Sequence, residues 1–126
     1  MNTTQEPEPL RTFAELRRRY ASGERDFRDS ELDADPSDDD LSGACLDDAD
    51  FSGSFIFANF RGASLQRARF RNANVKTCDF RDADLTDADF RGAGLCAADF
   101  TNAKMDGARF EGASYYSHIF GETELP

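Results

Sequence analysis

The feature that most constrains this chain is a beat of five. In the stretch Asp79–Phe100, DFRDADLTDADFRGAGLCAADF, a large apolar residue falls at every fifth position: Phe80, Leu85, Phe90, Leu95 and Phe100. An α-helix repeats its apolar face about every 3.6 residues and a strand alternates at two, so neither element accounts for a strict period of five. The beat extends on both sides, with centres at Phe60, Leu65, Phe70, Val75, Phe80, Leu85, Phe90, Leu95, Phe100, Met105, Phe110, Tyr115 and Phe120. Two residues before each centre from Phe60 to Tyr115 stands an Ala in eleven cases of twelve, Cys78 being the exception. The remaining three positions of each repeat are mostly Asp, Asn, Arg, Ser, Thr and Gly. Small and large inward residues therefore alternate with solvated ones, and the chain must turn a corner in every repeat.

The units ANFRG, ADLTD, ADFRG, AADF and ARFEG follow the form A-[DN]-[LF]-x-x, and over roughly residues 25–120 the sequence resembles the pentapeptide-repeat family. That resemblance implies an all-β fold, a right-handed quadrilateral parallel β-helix in which four repeats make one square coil. About five such coils at strand spacing give a rod of roughly 24 Å. Residues 20 apart then stack: Phe60, Phe80, Phe100 and Phe120 in one column, Phe70, Phe90 and Phe110 in the opposite one. Leu65, Leu85 and Met105 belong to a third wall, and Val75, Leu95 and Tyr115 to the fourth. The expected core is Phe60, Leu65, Phe70, Val75, Phe80, Leu85, Phe90, Leu95, Phe100, Met105 and Phe110, with large and smaller side chains alternating around the square so that facing walls share the interior.

Upstream the beat slips. Centres at Phe27, Leu32, Leu41, Leu46 and Phe51 leave steps of nine residues from 32 to 41 and from 51 to 60, each read as two repeats less one residue, on the face that later carries Val75 and Leu95. The first step contains DADPSDDD, where Pro36 predicts a bulging loop. In the second, SGSFIFAN, either Phe55 or Ile56 can point inward, and Phe55 is favoured because it restores the downstream register.

Three segments follow: residues 1–24 with a capping helix, 25–120 as the β-helix, and a short tail at 121–126. The helix is expected from Thr12 with Glu15 in capping-box form, from Phe13, Leu16 and Tyr20 at helical spacing, and from Gly23 as its stop. Arg17, Arg18 and Arg19 then fall in its last turn, where positive charge opposes the negative end of the helix dipole. At the other end Tyr115, Tyr116, His118, Ile119 and Phe120 break the Ala rule. They either cover the last coil or pair two molecules, so the expected state is a monomer or an end-to-end dimer through Tyr115, Tyr116, Ile119 and Phe120, a mode the resemblance also implies.

The chemistry of catalysis is not assembled anywhere. The single histidine, His118, has no Ser or Cys nucleophile assigned to it by any motif. Asp79 and Asp99 stack one coil apart, but Arg61, Arg71, Arg81 and Arg91 lie near enough to neutralise such pairs. No catalytic, cofactor-binding or metal set is expected, and no cofactor. Cys45, Cys78 and Cys96 are an odd number without ligand spacing, Cys78 projecting inward and Cys96 outward. With no run of 18 apolar residues and a polar, acidic stretch from Met1 to Leu10, the expectation is a single cytoplasmic domain of free thiols, with no membrane contact.

Charge is the feature that carries a functional expectation. The formal net charge is −10, and residues 29–60 hold ten acids and no Lys or Arg, while the rest of the chain is balanced. Asp33, Asp35, Asp38, Asp39, Asp40, Asp47, Asp48 and Asp50 make a candidate partner-binding edge for a protein with a basic surface. The chain is thus expected to be a non-enzymatic scaffold for protein–protein interaction. The resemblance implies an alternative, a DNA mimic acting on DNA gyrase as in fluoroquinolone resistance, but the row Asp50, Arg69, Asp89, Arg109 alternates in sign where a mimic needs sustained negative potential. Direct nucleic-acid binding conflicts with the acidic balance.

Overall fold

The computed structural model of the chain describes residues 8–33 and 41–126. From Asn59 onward, isolated parallel bridges join residues 20 apart, as in Asn59 with Asp79, Ser64 with Asp84, Arg69 with Asp89 and Asn74 with Gly94. One coil is therefore four repeats, and each repeat contributes one short wall of ladder hydrogen bonds to the coil above it. The Phe60 N–H donates to the carbonyl of Asp79 at 2.7 Å, and the Asp79 N–H donates back to Ala58 at 3.2 Å.

The corners explain the period. In each repeat the small residue after the turn donates its N–H to the carbonyl of the preceding centre, as Ala63 does to Phe60 at 2.9 Å and Ala88 to Leu85 at 3.0 Å. Two residues past the centre the backbone enters the left-handed region: Arg67 (φ 60°), Asn72 (57°), Asp82 (60°), Asp87 (58°) and Asn102 (60°), with Gly62 (70°) and Gly92 (72°). A β-turn with positive φ at its third residue favours Gly, Asn and Asp, which is why those types recur there. At Gly92 the Asn72 side chain also lies where a Cβ would stand, so a larger residue there would have to displace it.

The interior is filled by the expected columns. Phe60, Phe80 and Phe100 stack with nearly parallel rings 5.2 and 5.1 Å apart, and Phe70, Phe90 and Phe110 at 4.7 and 4.8 Å. The two columns meet edge to face across the coil, Phe80 against Phe90 at 5.5 Å and 88°. Leu65, Val75, Leu85 and Leu95 are fully buried on the flanking walls, and the Ala positions sit beneath them. The offset stack within a column and the T-shaped contact between columns are both favoured by the ring quadrupole, so one packing satisfies all six rings.

Helix α1 spans Phe13–Ala21. Thr12 caps it by accepting from the Glu15 N–H, Ser22 ends it, and Gly23 (φ +100°) leaves the last turn. Phe13 and Leu16 are buried in the same cluster as Phe27 and Leu32. Leu10 crosses the first coil, donating to the Ser30 Oγ and accepting from the Glu31 N–H. Arg19 is nearly buried: it donates to the carbonyls of Glu8 and Asp26, pairs with Glu24 at 3.0 Å, and lies over the Phe27 ring. Its place in the last turn is structural.

Four expectations need correction. Strands β1 (Glu31–Asp33) and β2 (Phe55–Phe57) pair in parallel with Leu32 opposite Ile56, and Ile56 rather than Phe55 is buried. Phe55 bridges Asn74, the residue before the Val75 centre, so Phe55 occupies an outward position and the missing residue falls between Ile56 and Phe60. The step from 32 to 41 is likewise not two short repeats. Phe27 and Leu32 align with Phe51 and Ile56 at 24 residues, while Cys45 aligns with Ser64 at 19, so Leu32 and Leu41 stand on successive walls with no repeat centre between them. The predicted loop at Pro36 falls on residues outside those described.

At the C-terminal end Phe120 leaves its column. Strand β3 (Ser114–Tyr115) turns back into β4 (His118–Ile119) as an antiparallel hairpin, the Phe120 N–H donates to Ala113, and the ring packs on Phe110 at 6.2 Å instead of on Phe100. Tyr115 and Met105, expected inside, are partly exposed because no coil lies above them.

Candidate partner-binding surface

The acidic edge divides when its partners are seen. Asp35, Asp38, Asp39 and Asp40 lie outside the described residues. Asp33 is exposed on β1, beside Glu31, and neither makes an ion pair among the described residues. Asp48 instead takes a two-pronged contact from Arg67 at 2.7 and 3.1 Å, which holds its carboxyl below the usual range. Asp50 pairs with Arg69 at 3.7 Å, and Asp47 accepts from the Ser64 hydroxyl and the Gln66 N–H. These partners come from the next coil up, 17 to 19 residues on, and are joined by the local donors Ser52 N–H to Asp50 and Cys45 Sγ to Asp47. Asp47, Asp48 and Asp50 thus serve the stacking of the coils, and the described acids of this edge that make no ion pair are Asp33, with its neighbour Glu31, and Asp47.

Elsewhere many acids of the outer rows are paired with arginines, although Asp84, Asp87 and Asp106 make no ion pair among the described residues. Arg81 grips Asp79 at 2.7 Å and reaches Asp99 at 3.8 Å, Arg91 grips Asp89 at 2.7 Å, Arg71 approaches Asp89 at 3.9 Å and Arg61 approaches Asp82 at 3.5 Å. Asp79 is held low chiefly by the hydrogen bond from Arg81, whereas Asp89 is pushed up by burial and then further down by Arg91. The bridges Asp50–Arg69–Asp89–Arg109 place alternating signs on one row. Such rows give a surface little net field.

The remaining candidates are spread apart. His118 is exposed and bonded to Glu124. Cys78 is buried, its thiol pushed up to about 12 by desolvation, while Cys45 is exposed and Cys96 intermediate. Among the described residues no group of three His, Cys, Asp or Glu side chains is placed to hold a metal ion, and no helix is long and apolar enough to cross a membrane. A concavity of about 600 Å³ opens at the C-terminal end over Phe100, Met105, Ala98 and Ala103, with Tyr115 and Leu125 also lining it. Tyr116 and Ile119 are exposed nearby, but Phe120 is turned inward.

Sequence reasoning missed one pair. Phe55 and Phe57 flank Ile56 on the outer face of β2 and are each 40% exposed. The signal was the run FIF itself: in repeats whose flanking positions are otherwise polar, two aromatics cannot both be inside when the residue between them is.

The profile of pentapeptide repeats matches the sequence over residues 54–92 and 78–114, in eight copies. The chain belongs to the pentapeptide-repeat family. Solved pentapeptide-repeat structures from the cyanobacterium Nostoc sp. strain PCC 7120 resemble it. HetL, described as involved in heterocyst differentiation regulation, is 27% identical with a TM-score of 0.68, the match covering 82% of this chain and 45% of HetL. The chain thus spans less than half of that protein. A second, alr5209, is 32% identical with a TM-score of 0.49, covering 94% of this chain and 93% of that one. QnrB1, a plasmid-mediated fluoroquinolone resistance protein, matches at 21% identity and a TM-score of 0.35, over 71% of this chain and 60% of its own, which is too distant to bear on function. No curated protein sequence matches. Pentapeptide-repeat proteins form right-handed β-helices and are in general non-enzymatic scaffolds.

Proposed function

We propose that this pentapeptide-repeat protein is a non-enzymatic cytoplasmic solenoid of about five coils, closed at one end by α1, that presents a rigid and partly acidic surface to a protein partner. The observation that carries this reading is the distribution of unpaired charge. In the upper coils Asp79, Asp82, Asp89 and Asp99 pair with arginines while Asp84, Asp87 and Asp106 make no ion pair among the described residues; Glu31 and Asp33 lie together on one short strand without an ion pair, and the segment that follows them in sequence adds Asp35, Asp38, Asp39 and Asp40. A local excess of negative charge on a stiff frame steers basic surfaces toward it and costs no ordering of the binding site. Replacing Asp38, Asp39 and Asp40 together by Asn should slow association with partners captured from the native host and leave the thermal midpoint unchanged. Association indifferent both to that change and to raising salt from about 50 to about 300 mM would make the edge a solubilising surface only.

A DNA-mimicking role toward DNA gyrase has the net acidity in its favour and the alternating rows against it; a supercoiling assay separates the two readings. Pairing of two copies at the C-terminal end would use Tyr115, Tyr116 and Ile119, without Phe120, and sedimentation against concentration tests it.

A further inference from the structure

One of the four outer walls differs from the others in chemistry. Above the acids of β1, the outward positions of the wall that carries Ile56, Val75 and Leu95 are Phe55 and Phe57, then Asn74 and Lys76, then Gly94 and Cys96, with Ser114 at the top of the row. No acid stands on it above Asp33, while the row through Asp50, Arg69, Asp89 and Arg109 is charged at every step. Phe55 and Phe57 face outward side by side, and directly beneath them in register are Glu31 and Asp33. Gly94 adds no side chain at all, which leaves a shallow step between Asn74 below it and Ser114 above it.

We infer that this wall is a docking strip for an extended segment of another protein that carries basic residues at one end and apolar side chains along the rest. The inference deepens the interaction reading above and rests on it. Charge complementarity sets the polarity: the basic end lies against Glu31 and Asp33, and the apolar side chains run over Phe55 and Phe57 toward the step at Gly94. The Phe55 face already receives a cation, Lys76 Nζ at 5.4 Å from the ring centroid, whereas Phe57 has no ring or cation partner among the described residues. An arginine or lysine of the partner placed between Asp33 and Phe57 would find a carboxylate and an open aromatic face together. The row from Glu31 to Ser114 crosses four strand spacings, about 19 Å, which an extended segment of about six residues spans. Two exposed rings on a stiff wall supply the rigid aromatic anchors that dominate peptide interfaces.

The test uses the full chain and a displayed library of random peptides of about twelve residues, long enough to overhang the strip at both ends. Enriched peptides should be basic at one end and apolar elsewhere, and their affinity should fall about tenfold or more in the double variant Phe55→Ser, Phe57→Ser. Gly94→Arg provides an independent block, because Gly94 has no positive φ and a Cβ there meets only ordinary contacts at 3.7 Å and beyond, so the fold tolerates the side chain. Glu31→Gln with Asp33→Asn should weaken binding mainly at low salt. Failure to enrich any peptide, or peptides indifferent to both the Phe double variant and Gly94→Arg, overturns the inference. Peptides lost on changing Asp38, Asp39 and Asp40 to Asn but not on changing the two Phe residues keep the acidic-surface reading and sink this one. Concentration-dependent self-association abolished by Phe55→Ser, Phe57→Ser would assign the strip to a second copy of the chain and also overturn it.

Discussion

At its N-terminal end the solenoid meets a helix whose Phe13 and Leu16 are buried against the first coil, and whose Arg19 donates to the carbonyls of Glu8 and Asp26. At its C-terminal end a short hairpin folds Phe120 over Phe110 and leaves the other half, Phe100 and Met105, opening into about 600 Å³ of space. The difference teaches that repeat sequence alone cannot finish a stack. Each coil buries its interior against the next, so the terminal coil must borrow apolar surface and hydrogen-bond partners from residues outside the pattern. The chain has done this in full at one end and in half at the other.

The largest expected effect contrasts the sealed interior with the open end. Phe80→Ala removes a ring stacked above and below and should destabilise the protein by about 3–5 kcal/mol, because the neighbouring coils cannot collapse into the gap. Phe100→Ala, whose ring already borders open space, should cost distinctly less. Equal midpoint shifts in chemical denaturation would remove the distinction between the two regions. Next, Leu16→Ala should cost about 2–4 kcal/mol while Ile119→Ala, exposed on the hairpin, should stay within about 0.5 kcal/mol. A large loss for Ile119 would show the hairpin sealing the stack as tightly as α1 does.

Acid should act on the regular coils between the two ends. Asp79 and Asp84 are held low by hydrogen bonds from Arg81 and Thr86, and Asp89, raised by burial, is brought low by Arg91. Carboxyls whose folded pKa is depressed contribute stability above their unfolded value, about 3.9, and lose it as pH falls toward the folded one. Thermal midpoints should therefore be level from about pH 7 to pH 5 and drop below about pH 4, and Asp89→Asn should shallow that drop. A midpoint that falls already between pH 7 and 5 would point to groups other than these.

One further effect is a gain. Thr77 holds φ 60° at a corner where a β-branched side chain is disfavoured. Thr77→Gly should stabilise by about 1 kcal/mol despite the lost hydroxyl contact with Lys76. No gain would mean that the rigid ladder, not the corner, sets the strain in the middle coils.

What was legible in the sequence is what the period dictates. From Phe60 to Phe110 both the columns and the small-residue layer are readable, because a strict repeat leaves one register. Phe55 against Ile56 was misread because a shift of one residue exchanges inside and outside, and with two apolar neighbours the pattern gives no penalty for the wrong choice. The step from Leu32 to Leu41 fitted two partitions of nine residues, and only the pairing of Leu32 with Ile56 selects one. Phe120 kept the beat while the backbone had already reversed, since a hairpin leaves no trace in the spacing of centres. For the candidate site, the excess of acids and the alternation of Asp50 with Arg69 were readable, but the grip of Arg67 on Asp48 was not, because it depends on a side-chain reach between corners of neighbouring coils.

The bridge spacing has a dynamic side. Among the described residues every parallel bridge joins positions 19, 20 or 24 apart, so the ladder couples each coil to its immediate neighbours. Such a chain behaves like a zipper, in which opening starts where one neighbour is missing and advances coil by coil. Amide protons should then exchange in a gradient along the axis, fastest around Met105 and Tyr115, slowest near Phe70 and Phe80, with the clasp of α1 delaying the approach from the other side.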